Sequence, residues 1–133
     1  MKIYGIGVDI ISINRIKKFH KNENFLKRIY SKEENFKCNK LINSINCYAK
    51  RFAAKEAFSK AVGTGISKGI SFNEIIVLNE KNGTPYITLK GKTKKIIEKK
   101  LKKKVKIFLS LSDEKKYAIA FVTISIWIKK KFL

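Results

Sequence analysis

Residues 5–9 read Gly-Ile-Gly-Val-Asp, and no other stretch of the 133 residues limits the fold so tightly. They lie within Lys2–Ile11, a run rich in Ile, Val and Tyr that predicts a buried strand. Side chains alternate along a strand, so Gly5, Gly7 and Asp9 share one face. Two glycines leave that face bare, open to close approach by another backbone or by a ligand. Asp9 then stands as a carboxylate among apolar neighbours, which is costly unless it is paired, hydrogen-bonded or holding a metal. An aspartate that ends the strand and caps the next turn fits this segment equally well. The glycines do not form a dinucleotide fingerprint, because Ile10 stands where the third glycine belongs.

The remaining elements follow from period and punctuation. Ser12 suits the N-cap of a helix running to about His20. Ser31 and Glu34 make the capping-box pattern, so a second helix starts there. The strongest helical signal covers about Asn46 to Val62, where Ala49, Phe52, Ala53, Ala57 and Ala61 form an apolar stripe and Gly63 can end the helix. Asn73–Asn79 and Tyr86–Lys90 read as strands joined through Asn82-Gly83. Lys92–Lys104 reads as a helix with Ile97, Leu101 and Val105 on one face; its lysine run suits a solvated surface. Val105–Leu111 and Tyr117–Trp127 predict a closing hairpin around Asp113-Glu114-Lys115-Lys116. No repeat, linker or low-complexity tract interrupts the pattern. The expectation is α+β: a single domain over residues 1–133 with an antiparallel sheet and a long central helix.

The net charge of +21 calls for an anionic partner, such as nucleic acid, an acidic protein, a phosphorylated small molecule or a membrane surface. Codon bias accounts for it equally well, since the excess is nearly all Lys and Ile and Asn are also abundant. Charge alone does not decide function. No zinc-finger, RNA-recognition or KH signature is present, so no specific nucleic-acid binding is expected. Cys38 and Cys47 lack CxxC spacing and are too few for a disulfide framework; they are expected as reduced thiols. Asp9 interrupts any leader-like apolar run, and Tyr117–Ile128 is shorter than the roughly 20 residues of a spanning helix. A cytoplasmic protein with no membrane span is expected. The ending Trp127-Ile128-Lys129-Lys130-Lys131-Phe132-Leu133 reads as a frayed basic tail, with an interfacial membrane contact as the alternative.

A second chemical segment runs Lys50-Arg51-Phe52-Ala53-Ala54-Lys55-Glu56-Ala57-Phe58-Ser59-Lys60. Glu56 and Lys60 are four apart on the helix. Taken alone, such a pair is a surface ion pair worth about 0.3–0.5 kcal/mol. Here it borders core residues and leads into Gly63-Thr64-Gly65-Ile66, where backbone N–H groups could face an anion. Gly63 as a simple C-cap is the bland alternative. Magnesium takes one or two protein carboxylates and completes its shell with phosphate oxygens and water. Asp9 and Glu56 would supply the carboxylates, and Lys60 positive charge beside the phosphates. That is the equipment of a phosphoryl-transfer site.

Residues 5–16 and 51–66 resemble the two signatures of the holo-acyl-carrier-protein synthases, a family of 4′-phosphopantetheinyl transferases. Asn79, Gly83, Pro85 and Leu89 resemble the family's hairpin, and the likeness runs from about residue 1 to 125. The resemblance implies transfer of 4′-phosphopantetheine from coenzyme A to a serine of acyl carrier protein in fatty acid biosynthesis, with release of adenosine 3′,5′-bisphosphate. It also implies a cytoplasmic homotrimer with active sites at subunit interfaces. By the same resemblance, Asp9 and Glu56 bind Mg²⁺, and Glu56 and Lys60 are catalytic, with Lys60 on the diphosphate of coenzyme A. Arg51 and the turn Gly63-Thr64-Gly65 hold the nucleotide end. Arg15 engages the acidic acyl carrier protein, in a patch that Lys17, Lys18, Lys21 and Arg28 widen. Many members carry a His near the nucleotide where this chain has Asp113, to which no role is assigned. His20, the only histidine, is expected at the surface, and its isolation argues against Ser-His-Asp or Cys-His chemistry.

Overall fold

A computed structural model describes residues 1–63 and 68–128. Strand β1 (Lys2–Ser12) leads into a short helix α1 (Ile13–Lys17), then α2 (Glu23–Ile29), α3 (Lys32–Asn39) and the long α4 (Ser44–Val62). A 3-10 turn (Phe72–Glu74) precedes β2 (Ile75–Asn79) and β3 (Pro85–Leu89); α5 (Gly91–Leu101), β4 (Val105–Asp113) and β5 (Tyr117–Ile126) follow. The order of the larger sheet is β1-β5-β4, antiparallel throughout, while β2 and β3 form a separate two-stranded sheet. The fold is α+β, as expected, with its strands divided between two sheets. The C-terminal tail 129–133 considered for a membrane contact lies outside the described residues. Among those residues no helix is long and apolar enough to cross a membrane.

Helix α4 crosses the inner face of the larger sheet. Ala49, Ala53, Ala57 and Ala61 recur every four residues, are almost fully buried, and meet Ala118, Ala120, Val122 and Ile124 in one core cluster. Small residues on both sides let backbone approach backbone. A Cβ on Gly7 would overlap the carbonyl oxygen of Ala57 and stand 2.9 Å from the Ala61 nitrogen; one on Gly5 would overlap the Ala61 carbonyl oxygen. The bare face read from the sequence is thus filled by a helix backbone.

A buried ion pair fixes α3 and the second sheet to the other side of α4. Lys55 and Glu34 are fully buried, with Nζ 2.8 Å from Oε1. Lys55 also donates to the carbonyls of Phe72 (2.8 Å) and Ile75. Glu34 accepts from the N–H of Ser31 (2.9 Å), closing the expected capping box, and from the N–H of Val77 (3.1 Å). Burial pushes the Lys55 ammonium down to about 8 against the pull of Glu34. Two charges are tolerable here because nearly every donor and acceptor is used.

Three sequence expectations change. The first helix stops at Lys17, five residues long, and the chain then turns and starts α2, which Asn22 caps by accepting from the N–H of Phe25. The last helix ends at Leu101 because Lys102 adopts a left-handed conformation, φ 51°. Cys38 and Cys47 are not free thiols but a disulfide, with Cα atoms 5.5 Å apart. The tight turn from α3 into α4 brings them together, and spacing alone did not reveal it.

Gly7→Val should cost at least about 3 kcal/mol, since the new side chain meets backbone that cannot give way; urea unfolding monitored by circular dichroism reads this directly. Lys55→Met should cost about 3–5 kcal/mol, leaving Glu34 charged and unpaired beside two orphaned carbonyls. A loss below about 1 kcal/mol in the same assay would show that the pair does not hold the fold.

Candidate active site

The close contact of β1 with α4 determines where the chemical side chains lie. Gly5 rests on Ala61 and Gly7 on Ala57, so the strand and helix run in opposite directions and Asp9 comes past the turn of α4 that carries Glu56 and Lys60. Lys60 Nζ stands 3.1 Å from Asp9 Oδ1 and donates to the Val8 carbonyl at 3.0 Å. Lys60 is 55% exposed and Asp9 17%, so this pair adds little to stability. Its ammonium is available to an incoming anion.

Glu56 is half-buried beside it. Burial, and next the Asp9 charge, raise its pKa above the ordinary carboxylate value; Lys60 and Arg15 oppose the rise. Two carboxylates that repel each other where β1 crosses α4 make a place for added positive charge. Among the described residues no group of three or more His, Cys, Asp or Glu could hold a metal. Two oxygen donors with open positions fit a hard ion that keeps phosphate and water in its shell, as Mg²⁺ does, and do not fit a closed zinc site. The structure brings Asp9, Glu56 and Lys60, singled out in the sequence, together at one place. Arg15, exposed on α1, acts electrostatically on Glu56, and Lys17, Lys18, Lys21 and Arg28 are also exposed.

Arg51 lies elsewhere. It precedes Lys60 by nine positions, which at about 100° per residue puts the two on opposite faces of α4. The residue is 3% exposed; its guanidinium donates to Asn79 Oδ1 (3.0 Å) and to Cys47 Sγ (3.1 Å), while its Nε has no partner among the described residues. Arg51 lines a cavity of about 400 Å³ with Lys37, Lys50, Lys81, Asn79 and Gly83. Asp113, to which the sequence gave no role, borders it, accepting from Asn46 Nδ2 at 2.8 Å and pairing with Lys50 at 3.5 Å. Gly63 caps α4 at φ 91°, its N–H bonding to the Ser59 carbonyl; Thr64 and Gly65 lie outside the described residues. His20 is half-buried, its Nδ1 3.1 Å from the Lys17 carbonyl, and away from both clusters.

The chain is similar to known proteins along most of its length. The family model of the 4′-phosphopantetheinyl transferase superfamily matches residues 5–122. A holo-[acyl-carrier-protein] synthase of Pelagibacter ubique is 50% identical over 123 residues, 92% of this chain and 96% of the relative. The crystal structure of the Neisseria meningitidis synthase superposes with a TM-score of 0.81 at 38% identity, over 92% of this chain and 98% of the other. The Bacillus anthracis synthase in complex with CoA (3′,5′-ADP) gives 0.75 at 37% identity, over 93% and 97%. Carboxylates set beside a lysine by a glycine-bared strand therefore sit in a chain that belongs to the 4′-phosphopantetheinyl transferase superfamily, among the holo-[acyl-carrier-protein] synthases.

Proposed function

We propose that this chain, as one transferase domain over residues 1–133, moves 4′-phosphopantetheine from coenzyme A to a serine of apo acyl carrier protein, serving fatty acid biosynthesis in the cytoplasm. The observation that carries the reading is the convergence of Asp9, Glu56 and Lys60 where β1 crosses α4. The carrier serine attacks the β-phosphorus of coenzyme A; the bond from that phosphorus to the bridging oxygen breaks, and adenosine 3′,5′-bisphosphate leaves. Lys60 moves from Asp9 onto the diphosphate and offsets charge gathering on the bridging oxygen. Glu56 supplies an acceptor for the serine proton. Asp9 and Glu56 would hold Mg²⁺, which when bound lends positive charge to the diphosphate oxygens. Arg15 and the exposed lysines beside it attract an acidic carrier, and their pull weakens with salt.

A monomer carries this site in two separated halves. Arg51 and its basic cavity, suited to the nucleotide end of coenzyme A, face away from Lys60. The outer face of the larger sheet is also uncovered: Ile6, Val8 and Ile10 are 59, 50 and 61% exposed, beside Phe108, Ile119 and Phe121. Val8 pairs with Phe121 and Ile10 with Ile119, so these residues form one continuous apolar patch. Water-exposed apolar surface of that extent marks an interface. The reading is a homotrimer whose sheets pack together, so that each site takes its carboxylates from one subunit and its basic cavity from the next.

Intact-mass spectrometry of apo acyl carrier protein incubated with this protein, coenzyme A and Mg²⁺ should show a phosphopantetheine gain that EDTA or Asp9→Ala abolishes. Glu56→Gln should slow transfer roughly 10²–10⁴-fold and weaken metal affinity together; wild-type kinetics in that variant would remove Glu56 from the site. Sedimentation velocity should give a trimer for the wild type and a monomer for Phe121→Glu, with transfer reduced on the order of 10²-fold as the halves separate. A fully active monomer would overturn the shared site.

A further inference from the structure

The Cys38–Cys47 disulfide joins the last turn of α3 to the first turn of α4. Disulfides in reducing compartments are transient and redox-responsive rather than structural braces. Its surroundings also differ at the two ends. Both are buried, but Cys47, 4% exposed, lines the basic cavity and Cys38 does not, so the cavity is the side from which a small thiol would approach the bond. Arg51 Nη1 stands 3.1 Å from Cys47 Sγ and 3.4 Å from the Cys47 carbonyl. The sulfur is therefore a direct neighbour of the buried guanidinium.

We propose that Cys38–Cys47 is a reversible redox site that sets how strongly the basic cavity holds an anion, by deciding whether Arg51 faces a neutral sulfur or a thiolate. The inference rests on the reading that this cavity takes the nucleotide end of coenzyme A. In the disulfide, Cys47 Sγ is uncharged and a weak acceptor, and Arg51 keeps its charge for a ligand. Reduction by a dithiol begins with attack of its thiolate on Cys47 Sγ; the S–S bond breaks and Cys38 departs with the electron pair, taking up a proton in its apolar enclosure. The second thiol of the reductant then closes on the first and displaces Cys47. Two electrons pass from dithiol to protein; of the two protons released, one stays on Cys38 and the other goes to solvent. Cys47 remains a thiolate because the guanidinium favours the charged form.

That thiolate pairs with Arg51 and cancels one of the positive charges lining the cavity, where Lys37, Lys50 and Lys81 already face Glu80 and Asp113. The oxidised protein is thus the tight-binding state. The same change loosens the connection between α3 and α4, in which Leu41 and Ile42 are exposed and contribute no core contact.

The test is titration calorimetry of adenosine 3′,5′-bisphosphate against the full chain, oxidised with glutathione disulfide or reduced with dithiothreitol. Intact mass after alkylation reports the thiol state of each sample. The expected result is two alkylatable thiols only after reduction, and roughly tenfold weaker binding in that state, as when a contact to a charged group is lost. Cys38→Ser, which cannot form the bond and does not line the cavity, should bind as weakly as the reduced wild type and ignore dithiothreitol. Two free thiols after oxidant treatment would overturn the redox pair itself. Equal affinity in both verified states would overturn the regulation while leaving the coenzyme A reading intact. No binding in either state would overturn both.

Discussion

The contact on which the rest of the molecule depends is backbone against backbone, β1 laid on α4 with no side chains between. Gly5 and Gly7 make it possible from the strand, and the alanine row from Ala49 to Ala61 makes it possible from the helix. Its rhythm follows from geometry. Two strand residues advance about 6.6 Å and four helix residues about 6 Å, so alternate strand positions keep step with successive helix turns. The next strand position after Gly7 is Asp9, which no longer faces alanine alone but lies beside Glu56 and Lys60. A glycine pair, which adds no chemistry, thereby decides where the carboxylates meet.

Two adjacent residues of α4 show how one helix serves both the core and the half-open cluster. Lys55 points inward, fully buried and tied to Glu34, Phe72 and Ile75; Glu56, about 100° further round, opens toward Asp9. The charges behave differently because their solvation differs. The Lys55–Glu34 pair is saturated with hydrogen bonds and offers nothing to a ligand. The Asp9–Glu56–Lys60 cluster is half-open and has donors and acceptors to spare, as the proposed contact with a phosphate requires.

Much of this was legible in the residues. Alternation placed Gly5, Gly7 and Asp9 on one face, the alanine period gave α4, and Ser31 with Glu34 announced α3, because each of these signals is local. What escaped was non-local. Helix α2 is seven residues long and rests on an Asn22 cap, too short for a periodic stripe to form. Lys55 sits in phase with Tyr48, Arg51, Phe58 and Val62, all buried, so its position forecast burial, but the partner Glu34 lies 21 residues away. The Cys38–Cys47 bond depends on the turn between two helices, and the Asp113 contacts join the end of β4 to the start of α4. The likeness to known synthases named Arg51 for the site, and its nine-residue spacing from Lys60 on one helix already set the two on opposite faces; the partners Asn79 and Cys47 are what the structure adds.

The distribution of charge follows from how the ten acidic residues are used. Glu34 is spent on Lys55 and Glu74 on capping α5 through the N–H groups of Lys92 and Thr93. Glu33 pairs with Lys90, Glu98 with Lys94 and Asp113 with Lys50. Asp9 and Glu56 lie with Lys60 where β1 crosses α4. With seven of the ten carboxylates placed in this way, few remain to neutralise the surface, and most of the lysines stand in solvent with an unopposed field. Such a field raises encounter with any polyanion and chooses poorly among them. Selectivity must come from the two places where charge is held in a fixed geometry, the carboxylate–lysine cluster and the cavity around Arg51. Those places lie on opposite faces of one helix, and the homotrimer proposed above is the arrangement in which one subunit's cluster meets the next subunit's cavity.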